Sequence, residues 1–154
     1  MRIAQVMTPD PIAVGPDASL ATVKSLMEAW KFRRVLITEH GKLLGIVTDR
    51  DLREHNGYLE STKVTAAMRS NLITITPNHT AEDAARLMID HKIGGLPVME
   101  GESVVGIVTA TDLLKAFVRV VTATEYIVDN RASERSNACH RVVPSSLLKP
   151  SGGG

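Results

Sequence analysis

Cysteine is almost absent. Cys139 is the only one, so no disulfide forms within the chain, and a reducing, cytoplasmic setting is expected. Aromatic residues make up only 3%, which leaves Val, Ile, Leu, Met and Ala to build the core. No apolar run approaches the roughly 20 residues that cross a bilayer. The opening stretch, MRIAQVMTPDP, lacks the apolar segment of a secretion signal. A formal net charge of +1 gives no field-level reason to expect a membrane surface or a nucleic acid, and no basic stripe marks either. The histidines (His40, His55, His79, His91 and His140) are scattered without paired metal spacing, so no metal site is expected. GxSxG, HExxH and GxxxxGK[ST] are missing, and no Ser, Cys and His stand in a nucleophilic arrangement. Catalysis is therefore not expected, and Cys139 in its polar surroundings reads as incidental. Asn78-His79-Thr80 fits the glycosylation pattern but carries little weight without a secretion signal.

What is present is a repeat. Met7 to Leu52 recurs without a gap from Met68 to Leu113, at an offset of 61 residues throughout. The densest identity is GIVTxxDL, at Gly45–Leu52 and Gly106–Leu113. Two copies are too few for a solenoid, so they point to one globular unit with internal twofold symmetry and paired sites. With 44% hydrophobic and 23% charged residues, the 154-residue chain fits a soluble globular protein. One repeat alone would bury too little surface, whereas two packed together share a core.

Both copies read in the order β-α-β-β-α. A loop leads to a β-prone stretch, Ile12–Val14 or Ile73–Thr76. A helix follows, with Leu20, Val23, Leu26, Met27 and Trp30 at helical spacing, and Ala81, Ala84, Leu87, Met88 and His91 in the second copy. Ser19 and Thr80 are its N-caps, and Thr80 with Asp83 resembles a capping box. Two β-prone runs flank a polar turn, Val35–Thr38 with Leu43–Thr48, then Leu96–Met99 with Val104–Thr109. A second helix starts at Thr48 or Thr109. Ile3 and Val64 mark a short apolar lead-in to each repeat, and Asn56-Gly57 marks a turn in the connection. The predicted fold is α+β, with two pseudo-twofold-related repeats packed sheet to sheet and helices outside. The boundaries fall at 1–61, 62–122 and 123–154. The last helix is predicted through Leu114, Phe117, Val118 and Val121. The pattern fails beyond Asp129, and 123–154 reads as a flexible or partner-docked tail.

The chemistry concentrates at Thr48-x-x-Asp51 and Thr109-x-x-Asp112, where a strand hands over to a helix. A helix N-terminus suits a phosphate, and a threonine hydroxyl there adds a donor. An aspartate one turn in offers two oxygens to the adjacent hydroxyls of a ribose. The strand before it offers apolar side chains to a flat base. The alternative is that Thr-x-x-Asp merely caps the helix. Capping alone does not require two copies after the same Gly-Ile-Val strand. Arg34 is placed to grip a phosphate, unless Arg33 and Arg34 are simply solvated. Their counterparts are Gly94 and Gly95, which allow close approach but carry no charge. Asp49-Arg50 against Ala110-Thr111 is a second asymmetry. The cleft at Thr48 and Asp51 is thus expected to suit anionic phosphates better.

The two GIVTxxDL segments, the repeated element order and the tandem spacing resemble a CBS domain pair, named after cystathionine β-synthase. The resemblance covers roughly residues 1–122. It implies two sheets packed together with two clefts that take adenosine compounds: AMP, ADP or ATP, or S-adenosylmethionine or NAD. It implies no required cofactor, and a regulatory, energy-sensing role through a partner protein or through a disc-like homodimer. Under this resemblance Asp51 and Asp112 bind ribose, Thr48 and Thr109 contact phosphate or ribose, and Ile46 and Ile107 line the base. The Thr48/Asp51 cleft also takes Arg33 and Arg34 from its own repeat, with Thr74, Ile93 and Gly94 from the second. The Thr109/Asp112 cleft takes Gly94 and Gly95, with Thr8, Ala13, Phe32 and Arg33 from the first. Leu36 departs from the family's proline, which Pro97 keeps. A structural or oligomerisation module with vestigial clefts remains an alternative.

Overall fold

Leu20, Val23 and Met27 fall on one helical face, and all three are buried. They belong to α2 (Leu20–Trp30), where Ser19 Oγ accepts from the Thr22 amide at 3.2 Å. Trp30 keeps the spacing but is exposed, because it ends the helix just before Lys31 turns left-handed. In the computed structural model the backbone is described for residues 1–140 and side chains for residues 1–132. The last fourteen positions, 141–154, and the side chains of Cys139 and His140 lie outside the described residues. Met1–Leu113 form one compact unit, and the described residues from Leu114 to His140 belong to a second.

The first repeat contributes α1 (Ile3–Val6), β1 (Thr8–Pro9), β2 (Ala13–Val14), α2, β3 (Arg34–Glu39), β4 (Lys42–Thr48) and α3 (Asp49–Glu54). The second contributes α4 (Val64–Ala67), α5 (Ala81–His91), β5 (Gly95–Glu100), β6 (Ser103–Thr109) and α6 (Ala110–His140). Two three-stranded sheets result, in the orders β2-β3-β4 and β1-β6-β5. The α+β class and the paired repeats agree with the sequence reading. The lead-ins are short helices, and α6 runs to His140, well past the expected apolar stretch. Residues 122–140 contain no proline or glycine to stop it.

The β-prone stretch Ile73–Thr76 does not form a strand. It makes one parallel bridge, Ile75 to Val98. Its counterpart β2 pairs with β3 and gains an additional bond from the Leu36 amide to Ile12 O at 3.1 Å. The residue matching Leu36 is Pro97, which has no N–H to give. The corresponding bond to Ile73 therefore cannot form, and the strand shrinks.

Each lead-in is exchanged. The α1 segment binds the second repeat: the Ile3 amide donates to His79 O at 2.8 Å and the Ala81 amide to Met1 O at 3.0 Å. β1 then pairs antiparallel with β6, setting Thr8 opposite Ile107 and Pro9 opposite Gly106. Reciprocally, the Val64 amide donates to Ala18 O at 2.9 Å, and Arg69 bridges Ile46. Val64 is buried in the first repeat's core with Leu20, Val23, Met27, Val35, Ile37, Val47 and Leu52.

Candidate functional site

Among the described residues, Asp51 is the one charged side chain that is buried, at 4% exposure. Burying a carboxylate is costly unless hydrogen bonds compensate. They do: Asp51 Oδ2 accepts from the Thr48 amide at 2.8 Å and from Thr48 Oγ1 at 3.1 Å. The second copy repeats this, with Asp112 Oδ2 accepting from the Thr109 amide at 2.8 Å and from Thr109 Oγ1 at 2.9 Å. Asp112 is half-buried. Both are capping boxes, so the capping reading is correct as geometry. It does not exhaust the carboxylates, since the protein bonds converge on Oδ2. Thr48 and Thr109 commit their hydroxyl protons to the aspartate and thereby fix its orientation.

The helix ends are less open than the sequence implies. The Asp49 amide donates to Arg33 O at 3.1 Å and the Ala110 amide to Gly94 O at 3.0 Å. The Asp112 amide donates to Thr109 Oγ1 at 3.3 Å. Few N-terminal amides are left for a phosphate.

Arg34 takes an unexpected course. Its backbone pairs with Thr48 on its own repeat. Its side chain crosses the pseudo-twofold axis and lies over Gly94 and Gly95 of the other repeat. A Cβ on Gly95 would stand 2.9 Å from Arg34 Cδ and Nε, and one on Gly94 would strike Nη2. The sequence assigns Arg34 to the Thr48/Asp51 cleft. The structure places its side chain on the far side, lining a cavity of only about 30 Å³ with Thr8, Phe32, Leu36 and Ile107. Burial chiefly holds the guanidinium below its ordinary range. Asp49 opposes that shift, Arg33 adds to it, and Asp112 opposes it.

The pattern behind this geometry is a shared one. A family model described as the CBS domain matches residues 3–57 and again 64–119. The chain belongs to the CBS domain family. The CBS domain-containing protein YhcV of Bacillus subtilis is 32% identical over 114 residues, covering 72% of this chain and 81% of that protein. The CBS pair also resembles the solved structure of the acetoin utilization protein AcuB from Vibrio cholerae. That match has 31% identity and TM-score 0.73, covering 82% of this chain and 96% of that one. CBSX2 in complex with AMP matches at 25% identity and TM-score 0.71, over 77% of this chain and 97% of that one. The CBS pair of protein MJ0100, in complex with 5′-methylthioadenosine and S-adenosyl-L-methionine, matches at 27% and TM-score 0.70. It covers 76% of this chain and 95% of that one.

The remaining candidates of this CBS pair divide. Thr8, Phe32 and Ile107 meet around the small cavity. Ala13, assigned to the same cleft, is exposed and does not line the cavity, and Thr74, assigned to the other cleft, is exposed. Arg33 is exposed and engages α3 through its carbonyl. Ile93 is half-buried, with its amide donating to Met88 O at 3.0 Å. Ile46 is buried against Arg69. Sequence reasoning missed Arg69. It stands 61 residues after Thr8 and faces Ile46 as Thr8 faces Ile107, so the repeat offset itself was the signal. A wider recess of about 400 Å³ opens between α2 and α3, lined by Phe32, Asp49 and Leu52 among others. It contains none of Thr48, Asp51, Thr109 and Asp112.

Proposed function

We propose that this CBS pair is a regulatory, non-catalytic module that binds adenosine compounds, with AMP, ADP or ATP as its ligands. Asp51 and Asp112 hold the ribose hydroxyls, Thr48 and Thr109 orient them, and Ile46 and Ile107 flank the base. Ligand binding shifts the relation of the two repeats, which a partner protein or the homodimer reads. Such coupling requires the ligand to favour one state over the other. The observation that carries this reading is the buried Asp51 carboxylate, held through one oxygen by Thr48 and matched by its symmetric copy. The AMP complex of CBSX2 and the S-adenosyl-L-methionine and 5′-methylthioadenosine complex of MJ0100 support the ligand class.

A thermal-shift series with AMP, ADP, ATP, NAD and S-adenosylmethionine tests it. A ligand at 100 times its Kd adds about 2.7 kcal/mol of stability. The same protein unmoved by all five would defeat the proposal. Asp51→Ala separates binding from capping. Loss of a cap alone costs about 1 kcal/mol of stability and spares affinity. Loss of a ribose ligand lowers affinity tenfold or more.

A further inference from the structure

Arg34 and Gly95 occupy equivalent positions in the two repeats, and in the folded chain they touch. Arg34 lies on its own symmetry counterpart, because a Cβ at Gly95 would already stand 2.9 Å from Arg34 Cδ and Nε. Two side chains of that size do not fit at the axis. The symmetry therefore breaks for a steric reason, and a single cation takes the shared space. The cavity beside it is bounded by Thr8 and Ile107, both assigned by the family resemblance to the Thr109/Asp112 cleft, and holds only about 30 Å³. A nucleoside needs a site of several hundred cubic ångströms. With Arg34 in this position no nucleoside enters.

We infer that Arg34 is a plug that makes the Thr109/Asp112 cleft select for anionic ligands. An uncharged nucleoside has to displace the guanidinium and offers it nothing in return. A nucleotide displaces the same guanidinium and receives it on its phosphate, where the planar fork donates two parallel hydrogen bonds. The helix amides do not substitute for it, since those of Ala110 and Asp112 are already engaged. Asp49 of the first repeat and Asp112 of the second both favour the charged guanidinium, while burial and Arg33 oppose it. The inference rests on the proposed adenosine binding and adds the residue that sets ligand charge.

Titration calorimetry of the full chain with AMP and with adenosine tests it, using Asp112→Ala to identify the cleft. Arg34→Ala should weaken AMP about tenfold and strengthen adenosine several-fold at the site that Asp112→Ala removes. A structural role for Arg34 would move both ligands in the same direction, and that outcome overturns the plug. An unchanged AMP-to-adenosine ratio overturns it as well. Arg34→Lys, which keeps the charge but loses the fork, should weaken AMP less than Arg34→Ala does, and a loss equal to that of Arg34→Ala counts against the inference. Wild-type protein that binds neither ligand defeats the parent proposal instead.

Discussion

Gly45 and Gly106 head the repeated GIVTxxDL motif, and their role is steric. A Cβ on Gly106 would meet Met7 Sδ at 2.7 Å and Thr8 O at 2.9 Å, and one on Gly45 would meet Met68 Sδ at 2.6 Å and Arg69 O at 2.8 Å. The methionine end can swing away, but the backbone oxygen belongs to a paired segment and cannot. Gly106→Ala is therefore expected to destabilise by about 1–3 kcal/mol, the usual cost of overpacking. A lowered urea midpoint without a change in slope checks this. The Thr-x-x-Asp residues were legible because their partners lie three positions away. The contacts of Gly106 were not, since they come from a segment nearly a hundred positions earlier.

At the scale of elements, capping chemistry explains how the helices begin. In α5, Thr80 Oγ1 accepts from the Asp83 amide at 3.1 Å, and Asp83 Oδ2 accepts from the Thr80 amide at 2.9 Å. Thr80→Ala should cost about 1 kcal/mol in thermal or urea unfolding. Hydrogen bonding from the Thr80 backbone and then its hydroxyl holds the Asp83 carboxyl below its usual range, with a smaller pull from His79. A depressed carboxylate contributes stability above its unfolded value and loses it as pH falls through the folded one. The acid limb of the stability curve should therefore be shallower in Asp83→Asn than in wild type, as urea midpoints from pH 5 down to pH 2 would show. A limb of unchanged slope would contradict the box. The caps, α2 and α5 were readable from local spacing. The shortened strand at Ile75 was readable only in part. Pro97 was visible as a departure, but its effect depends on which neighbour asks for the missing N–H.

At the scale of the molecule, the repeat in sequence is not the unit in space. Val64, in the lead-in of the second repeat, is fully buried in the core of the first, and Ile3 docks on the second. A fragment covering 1–61 lacks Val64, whose burial is worth about 1.5–3 kcal/mol, and leaves Ile3 without its partner. A fragment covering 10–72 restores the first and omits the second. The 10–72 fragment should unfold more cooperatively, and at higher urea, than 1–61 when followed by circular dichroism. Equal behaviour of the two would show that the exchange contributes little. The exchange also ties the halves together beside the Thr-x-x-Asp boxes, since Thr8 and Arg69 sit opposite Ile107 and Ile46.

Sequence alone determined what depends on near neighbours. It set most of the element order through apolar and β-prone runs, the helix starts through Ser19, Thr80 and the Thr-x-x-Asp boxes, and the pairing of those boxes through the 61-residue offset. Only the tertiary structure decided which segments cross over and where Arg34 points. Those outcomes depend on contacts between residues far apart in the chain and on how much room the axis leaves. A long flexible side chain has several directions open to it from one backbone position. The room left by Gly94 and Gly95, which spacing cannot express, admits the one it takes.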